Sequence, residues 1–282
     1  MNDTKYGSED LTQYQVQARN TSAESENKIH DDEVAARFGF RGGLVPGVTV
    51  YGYMTVPLVE RFGLDWLARG SMNVRFHKPF YEGEEVVVKG KTDEDSKGVN
   101  VSLRAERADG EVCATATAEI GDRYFQDQQT GELRIENYPE VSLPSIEDRP
   151  PATKEAFAPG IILGTLIEQL KLPDKVFLAE IGERLPVYYE GEAVAHPAFL
   201  LGLMNQVLVR NFKLGPWIHA ESKLINHSVA RDGETISIRS RVRECFERKG
   251  HEFVVVDMLA LAGARRVVQQ VRHTAIYRPR FV

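Results

Sequence analysis

Cysteine is scarce. Cys113 and Cys245 are the two in 282 residues, too few for a disulfide framework or a structural zinc site. Both fall in strand-like runs, so reduced thiols and a cytoplasmic address are the expectation. An excess of positive charge is also missing. The formal net charge is −6, and the basic face of a nucleic-acid binder is not expected. No apolar run is long enough to span a bilayer, which argues against a membrane partner. The N-terminus, MNDTKYGSEDLTQ, lacks the basic and apolar regions of a signal peptide. Phosphate loops, metal-spaced histidine pairs and a Ser-His-Asp order are absent as well, so neither a metal nor a cofactor is implied. What remains, 42% hydrophobic and 27% charged residues, suits a globular protein of one large or two smaller domains.

The most informative stretch runs from Asn27 to Phe62. Pro46 to Phe62 reads as a helix, with proline tolerated in the first turn. Val48, Val50, Tyr51, Tyr53, Met54, Val56, Leu58 and Val59 follow without a charge before Glu60. A helix apolar on all faces is a buried helix, here one expected to be wrapped by sheet. Its start leaves the backbone N–H groups of Gly47 and Val48 unpaired, and Asn27 and His30 lie just upstream.

Around it, residues 1–11 read as loosely attached and Tyr14 to Ala18 as a first strand. Asp31 to Phe38 reads as a short helix ended by Gly39. Beyond the central helix come the strands Met72–Phe76, Glu85–Lys91, Val99–Ala105 and Cys113–Ile120. Thr92 to Gly98 reads as a charged turn and Asp109-Gly110 as a tight one. One helix followed by hairpin-linked strands is an α+β pattern. Residues 126–156, with Pro139, Pro144, Pro150 and Pro151, read as a linker.

The second half then repeats the first at an offset of 150. Gly52 falls on Gly202, Met54 on Met204, Phe62 on Phe212, Leu64 on Leu214, His77 on His227, Gly83 on Gly233 and Glu84 on Glu234. Two similar units follow, 1–125 and 157–282, joined by 126–156 and pairing side by side. Ala198–Phe212 should be a second buried helix, with Glu234–Val242, His251–Leu261 and Arg265–Tyr277 as strands. At this offset Glu180 stands opposite His30 and Phe177 opposite Asn27, so the candidate site belongs to the first unit. Equivalence between His77 and His227 favours a structural role for both. His196, opposite Pro46, reads as a cap or packing group.

These features resemble the MaoC-like acyl dehydratases and (R)-specific enoyl-CoA hydratases in their double-hotdog form. The matching stretch is Ser25-Glu26-Asn27-Lys28-Ile29-His30, against a family pattern Asp-x-Asn-x-x-His, with the helix opening at Val45-Pro46-Gly47-Val48. The resemblance implies two repeats, each an antiparallel sheet around a long helix. It implies a lyase that hydrates an enoyl thioester, or the reverse, on a CoA or carrier-protein substrate. His30 would be the acid/base, Asn27 would orient water or substrate, and the Gly47 N–H would hold the thioester oxygen. Pro46, Val48 and Tyr51 would contact substrate. The family's aspartate is Ser25 here, and a serine hydroxyl near its ordinary pKa cannot serve as a base. Glu26, a carboxylate from the second half, or His30 alone would have to compensate. A thioesterase, another lyase, or a non-catalytic acyl-binding protein are the alternatives. A double hotdog is already a pseudo-dimer, so the chain is expected as a monomer or a homo-oligomer.

Overall fold

Ten strand-forming runs build a single antiparallel sheet in the computed structural model, which describes residues 8–95, 98–121, 134–263 and 265–280. In chain order the strands are β1 (Tyr14–Gln17), β2 (Ser71–Phe76), β3 (Glu85–Asp95), β4 (Gly98–Arg107), β5 (Val112–Ile120), β6 (Ile162–Gln169), β7 (Ile218–Asn226), β8 (Thr235–Arg248), β9 (His251–Ala262) and β10 (Arg266–Arg278). The helices are α1 (Asp32–Ala36), α2 (Gly47–Arg69), α3 (Lys175–Glu180) and α4 (Pro197–Asn211). The sheet order is β1-β3-β4-β5-β2-β7-β10-β9-β8-β6. Each half contributes five strands and one long helix.

The seam between halves is β2 against β7, and its register carries the duplication. Met72 faces Leu224, the counterpart of Val74, while Val74 faces Ser222, the counterpart of Met72. Asn73 and Lys223, themselves counterparts, face each other at the centre. This is the self-complementary pairing of a twofold interface, held within one chain. Helix α2 is buried from Thr49 through Val59, and it crosses α4 where Gly52 approaches Ala198: a Cβ on Gly52 would stand 3.0 Å from that of Ala198.

The elements depart from expectation in definite places. Helix α2 does not stop at Phe62. It breaks at Gly63 (φ 57°) and resumes to Arg69, because glycine tolerates the left-handed backbone that a further turn requires there. Thr92 to Asp95 is not a turn but the end of β3, paired with β4 from Val101 back to Gly98. Residues 9–11 are attached: Leu11 is buried, and its N–H donates to the Gly90 carbonyl. Residues 1–7 lie outside the described residues. Strand β8 runs past Val242 to a two-residue turn, Lys249-Gly250, with positive φ at both positions, the geometry that suits a hairpin's twist. Strand β6 was not anticipated. Within 134–156, Tyr138 and Ala152 are buried, and Val141 exchanges hydrogen bonds with Thr165 on β6.

The two halves differ on both sides of one short helix: Ala18 and Leu170 make equivalent bonds to Glu84 and Glu234, so the second half has nine fewer residues before its cap. Asp31 caps α1 by accepting from the Val34 N–H, and Asp174 caps α3 by accepting from the Phe177 N–H. Both helices are followed by a positive-φ glycine, Gly39 and Gly182. Aligning these caps puts Pro173, not Glu180, opposite His30. The register returns to 150 at the paired bridges Leu44–Tyr81 and Val194–Arg231. The second half therefore carries about seven extra residues between Gly182 and Val194. They hold Glu183 and Tyr188, both buried against His196.

Candidate functional site

Asn27 opens a single 3₁₀ turn, Lys28–His30, and its Oδ1 accepts from the Ile29 N–H at 3.3 Å. The same amide reaches across the seam. Its Oδ1 accepts from the Trp217 N–H at 3.1 Å and its Nδ2 donates to the Trp217 carbonyl at 2.9 Å. The second Nδ2 proton points at His30 Nε2, 3.3 Å away.

His30 is fixed from its other end. Nδ1 lies 2.6 Å from the Leu44 carbonyl oxygen, an acceptor only, so Nδ1 carries the proton and Nε2 is bare. Burial pushes the imidazole below its usual value, partly offset by that carbonyl bond. The ring is thus neutral near pH 7, with a lone pair on Nε2. The loop that supplies Leu44 can pass this close because residue 43 is glycine: a Cβ there would sit 2.1 Å from the His30 carbonyl oxygen.

A cavity of about 230 Å³ opens beside these groups. Asn27, His30, Pro46 and Gly47 line it together. Ser25, Val48 and Tyr51 do not. The Ser25 hydroxyl bonds instead to the Asn27 carbonyl at 3.4 Å. Tyr51 is fully buried in the core, and Val48 packs against that core. Helical period turns Val48 off the face of Gly47, while Val50, three positions on, joins the wall; Tyr51, four positions on, is taken up by the core instead. Glu26 is exposed and also outside the lining. Among the described residues no carboxylate lines the cavity.

The far wall comes from the second half: Asn205 on α4, and Trp217, His219 and Ala220 around the start of β7. Sequence reasoning missed all four. His219 sits 3.0 Å (Nδ1) from where a Cβ on Gly47 would be, and the same point is 3.1 Å from Phe76. Its Nε2 lies 2.8 Å from the Ser222 hydroxyl, which lies 3.1 Å from His273 Nδ1. Residues 219 and 222 would point to opposite faces of a regular strand. A register shift in the β7–β10 pairing absorbs Ala220 and turns both to one face. The only signal available in sequence was two histidines and a serine in strands expected to be buried. His77 also lines the cavity, on its exposed side, while bonded to the Thr115 hydroxyl at 2.7 Å.

The counterpart region of the second half is filled. Its cavity is about 10 Å³, at the lower limit for one water. Pro173, Phe177, Tyr188 and His196 line it. His196 caps α4 through Nδ1, accepting from the Ala198 N–H, and meets Glu183 through Nε2 at 3.1 Å. Burial acts to raise the Glu183 pKa, but bonds from His196 and the N–H groups of Leu185 and Arg184 hold it below the usual range. That carboxylate is committed and does not reach His30's cavity.

No family model and no curated protein matches the sequence. Solved structures do match. A Mycobacterium tuberculosis protein described as having a double hotdog fold aligns at a TM-score of 0.65 and 12% identity, over 97% of this chain and 96% of that one. The chain is a double hotdog. A protein described as a MaoC domain dehydratase, from Chloroflexus aurantiacus, aligns at 0.64 and 10% identity over 97% and 95% of the two chains. One described as an oleoyl thioesterase, from Lactobacillus plantarum, aligns at 0.52 and 13% over 96% and 98%. The ten-stranded sheet with a helix per half is the α+β architecture that the hydratase resemblance implied, and MaoC-like dehydratases stand among the double hotdog's structural neighbours. No helix among the described residues is long and apolar enough to cross a membrane.

Proposed function

We propose that the cavity binds an acyl thioester, carried on CoA or a carrier protein, and that the chain is a hydro-lyase of the MaoC type whose one acid/base is His30. The observation that carries this is the tautomer. The Leu44 carbonyl holds the proton on Nδ1, so the Nε2 lone pair is the ring's acceptor beside an apolar cavity at the first turn of α2; it accepts from Asn27 Nδ2 at 3.3 Å and turns to substrate by giving up that long bond. In the dehydration direction, Nε2 removes the C2 proton of a 3-hydroxyacyl thioester. The electron pair moves onto the thioester oxygen as an enolate, opposed by the Gly47 N–H and the helix start. The pair then returns to form the C2–C3 double bond. The C3–O bond breaks, and Nε2–H delivers its proton to the departing oxygen, releasing water. Asn27 orients His30 and the ligand. A carboxylate base is worth roughly 10²–10⁴ in rate, so turnover should be slow by comparison with a two-group site.

The lack of a lining carboxylate favours a second reading. Hydrolysis needs one base to activate water, and His30 alone suffices for that. Incubation with crotonyl-CoA separates the two. Loss of enoyl absorbance without thiol release supports hydration, and release of free CoA supports hydrolysis. Neither change, with no measurable binding of crotonyl-CoA, overturns the thioester assignment.

A further inference from the structure

On the side of the second repeat the cavity continues along the sheet. Ile218, Ile276 and His251 line it. Ile218 faces Ile276, Ile276 faces Phe253, and Phe253 faces Phe246. Directly paired side chains share one face of a sheet, so these residues make an apolar row leading out of the cavity. Phe253 and Phe246 stand one and two strand spacings beyond Ile276, about 5 and 10 Å. Their rings are stacked, 4.9 Å apart and 4° from parallel. Phe246 is 36% exposed. The chain through β6 bonds to β8 no further than Val242, so at Phe246 β8 is an edge.

A basic row lies beside the apolar one. Arg248 faces His251, on the same face as Phe246 and Phe253 two positions away. Lys249 is in the turn between them. The chain after β10 returns over this tip: the Arg280 N–H donates to His251 Nδ1 at 3.2 Å, and Arg280 Cδ lies 3.6 Å from where a Cβ on Gly250 would be. Arg248, Lys249 and Arg280 are exposed. Lys78 on the opposite rim is matched by Glu111, and Arg278 by Glu252. Arg248, Lys249 and Arg280 have no such partner among the described residues. Glu247 and Glu252 face each other on the other side of the hairpin, where Glu252 accepts from the core residue Tyr277. The first repeat's hairpin is entered through Asp93-Glu94-Asp95, so the basic tip is no relic of the duplication.

An aromatic face beside unpaired cations suits a base and its phosphates. Coenzyme A carries an adenine, a pyrophosphate and a 3′-phosphate, whereas a carrier protein presents one phosphodiester and no base. We infer that the β8–β9 tip binds the nucleotide end of coenzyme A, with the base against Phe246 and the phosphates at Arg248, Lys249 and Arg280. The pantetheine arm then lies along the apolar row into the cavity. The inference rests on the acyl-thioester reading and decides its carrier. It gives recognition of the carrier to the repeat that lacks the acid/base.

Calorimetry with butyryl-CoA, butyryl-pantetheine and adenosine 3′,5′-bisphosphate tests it. The two thioesters differ only in the nucleotide end. Butyryl-CoA should bind about tenfold more tightly than butyryl-pantetheine, and the gap should close at high salt. The bisphosphate should compete with butyryl-CoA; failure to compete overturns the inference. Lys249→Asn, chosen because asparagine tolerates the positive φ of that turn, combined with Arg280→Gln, should bring butyryl-CoA down to the affinity of butyryl-pantetheine. Equal affinity of the two thioesters for the wild type overturns the inference, leaves the thioester reading standing and favours a carrier protein. An equal loss for both thioesters in the variant marks a structural role for the hairpin and also overturns it. If neither thioester binds the wild type, the thioester reading fails and the nucleotide subsite falls with it.

Discussion

Asn27 and Trp217, 190 positions apart, are joined by two hydrogen bonds from one side-chain amide to one peptide unit. The amide acts as a strand neighbour would, closing the two halves over the cavity and aiming its remaining proton at His30. Asn27→Asp keeps the acceptor and loses both donors. We expect it to destabilise the fold by about 1–3 kcal/mol, read as a lower urea midpoint, and to abolish turnover.

His30→Ala should remove activity without large loss of stability, since the ring is only half-buried. The wild-type rate should also respond to pH with a definite sign. His30 works as a base when neutral, and burial lowers its pKa from 6.5. The pH profile of kcat/KM should be flat above pH 6.5 and fall only at more acidic values. An inflection above 6.5 would contradict the desolvated environment.

Ser25→Asp should not create a faster enzyme. Position 25 bonds to the Asn27 carbonyl and stays outside the cavity, so a carboxylate there has no path to bound substrate. A rate within about threefold of wild type is expected, well below the 10²–10⁴ of an added acid/base. A larger gain would mean that the turn around residue 25 rearranges.

The buried helices, the duplication and the upstream Asn-His pair were legible because each leaves a local mark: an unbroken apolar run, a constant offset, a spacing of three. The rest depends on long-range geometry. Helical period turns Val48 off the wall, and Tyr51, although on the face of Gly47, is enclosed by core side chains that come from distant strands and the second helix. His219 was invisible because its direction depends on a shifted register at Ala220, and its neighbour in space is Gly47, from the other repeat. Glu180 was set opposite His30 by a constant offset, which the extra residues before Val194 interrupt.

Gly47→Ala should close the site. An added Cβ would meet His219 Nδ1 at 3.0 Å and Phe76 at 3.1 Å, both held by surrounding strands. We expect a cost of about 1–3 kcal/mol from overpacking, despite alanine's better helix propensity, and loss of crotonyl-CoA binding by calorimetry.

Acid should weaken the fold through the buried rings. His219 and His273 have folded pKa values depressed by burial, to about 3 for His273. Between pH 6.5 and about 3 the unfolded chain binds more protons than the folded one, so stability falls as pH falls across that window. The melting temperature should decline there, and less steeply in His273→Phe.

The residues inserted after Gly182 bear on how many ligands one molecule should take under the proposed function. Tyr188 among them joins Pro173, Phe177 and His196 around the space that symmetry would have granted the second unit, so under the acyl-thioester proposal one polypeptide takes one ligand. A titration should saturate at a single equivalent per polypeptide, with the plugged unit serving as a rigid wall for its twin.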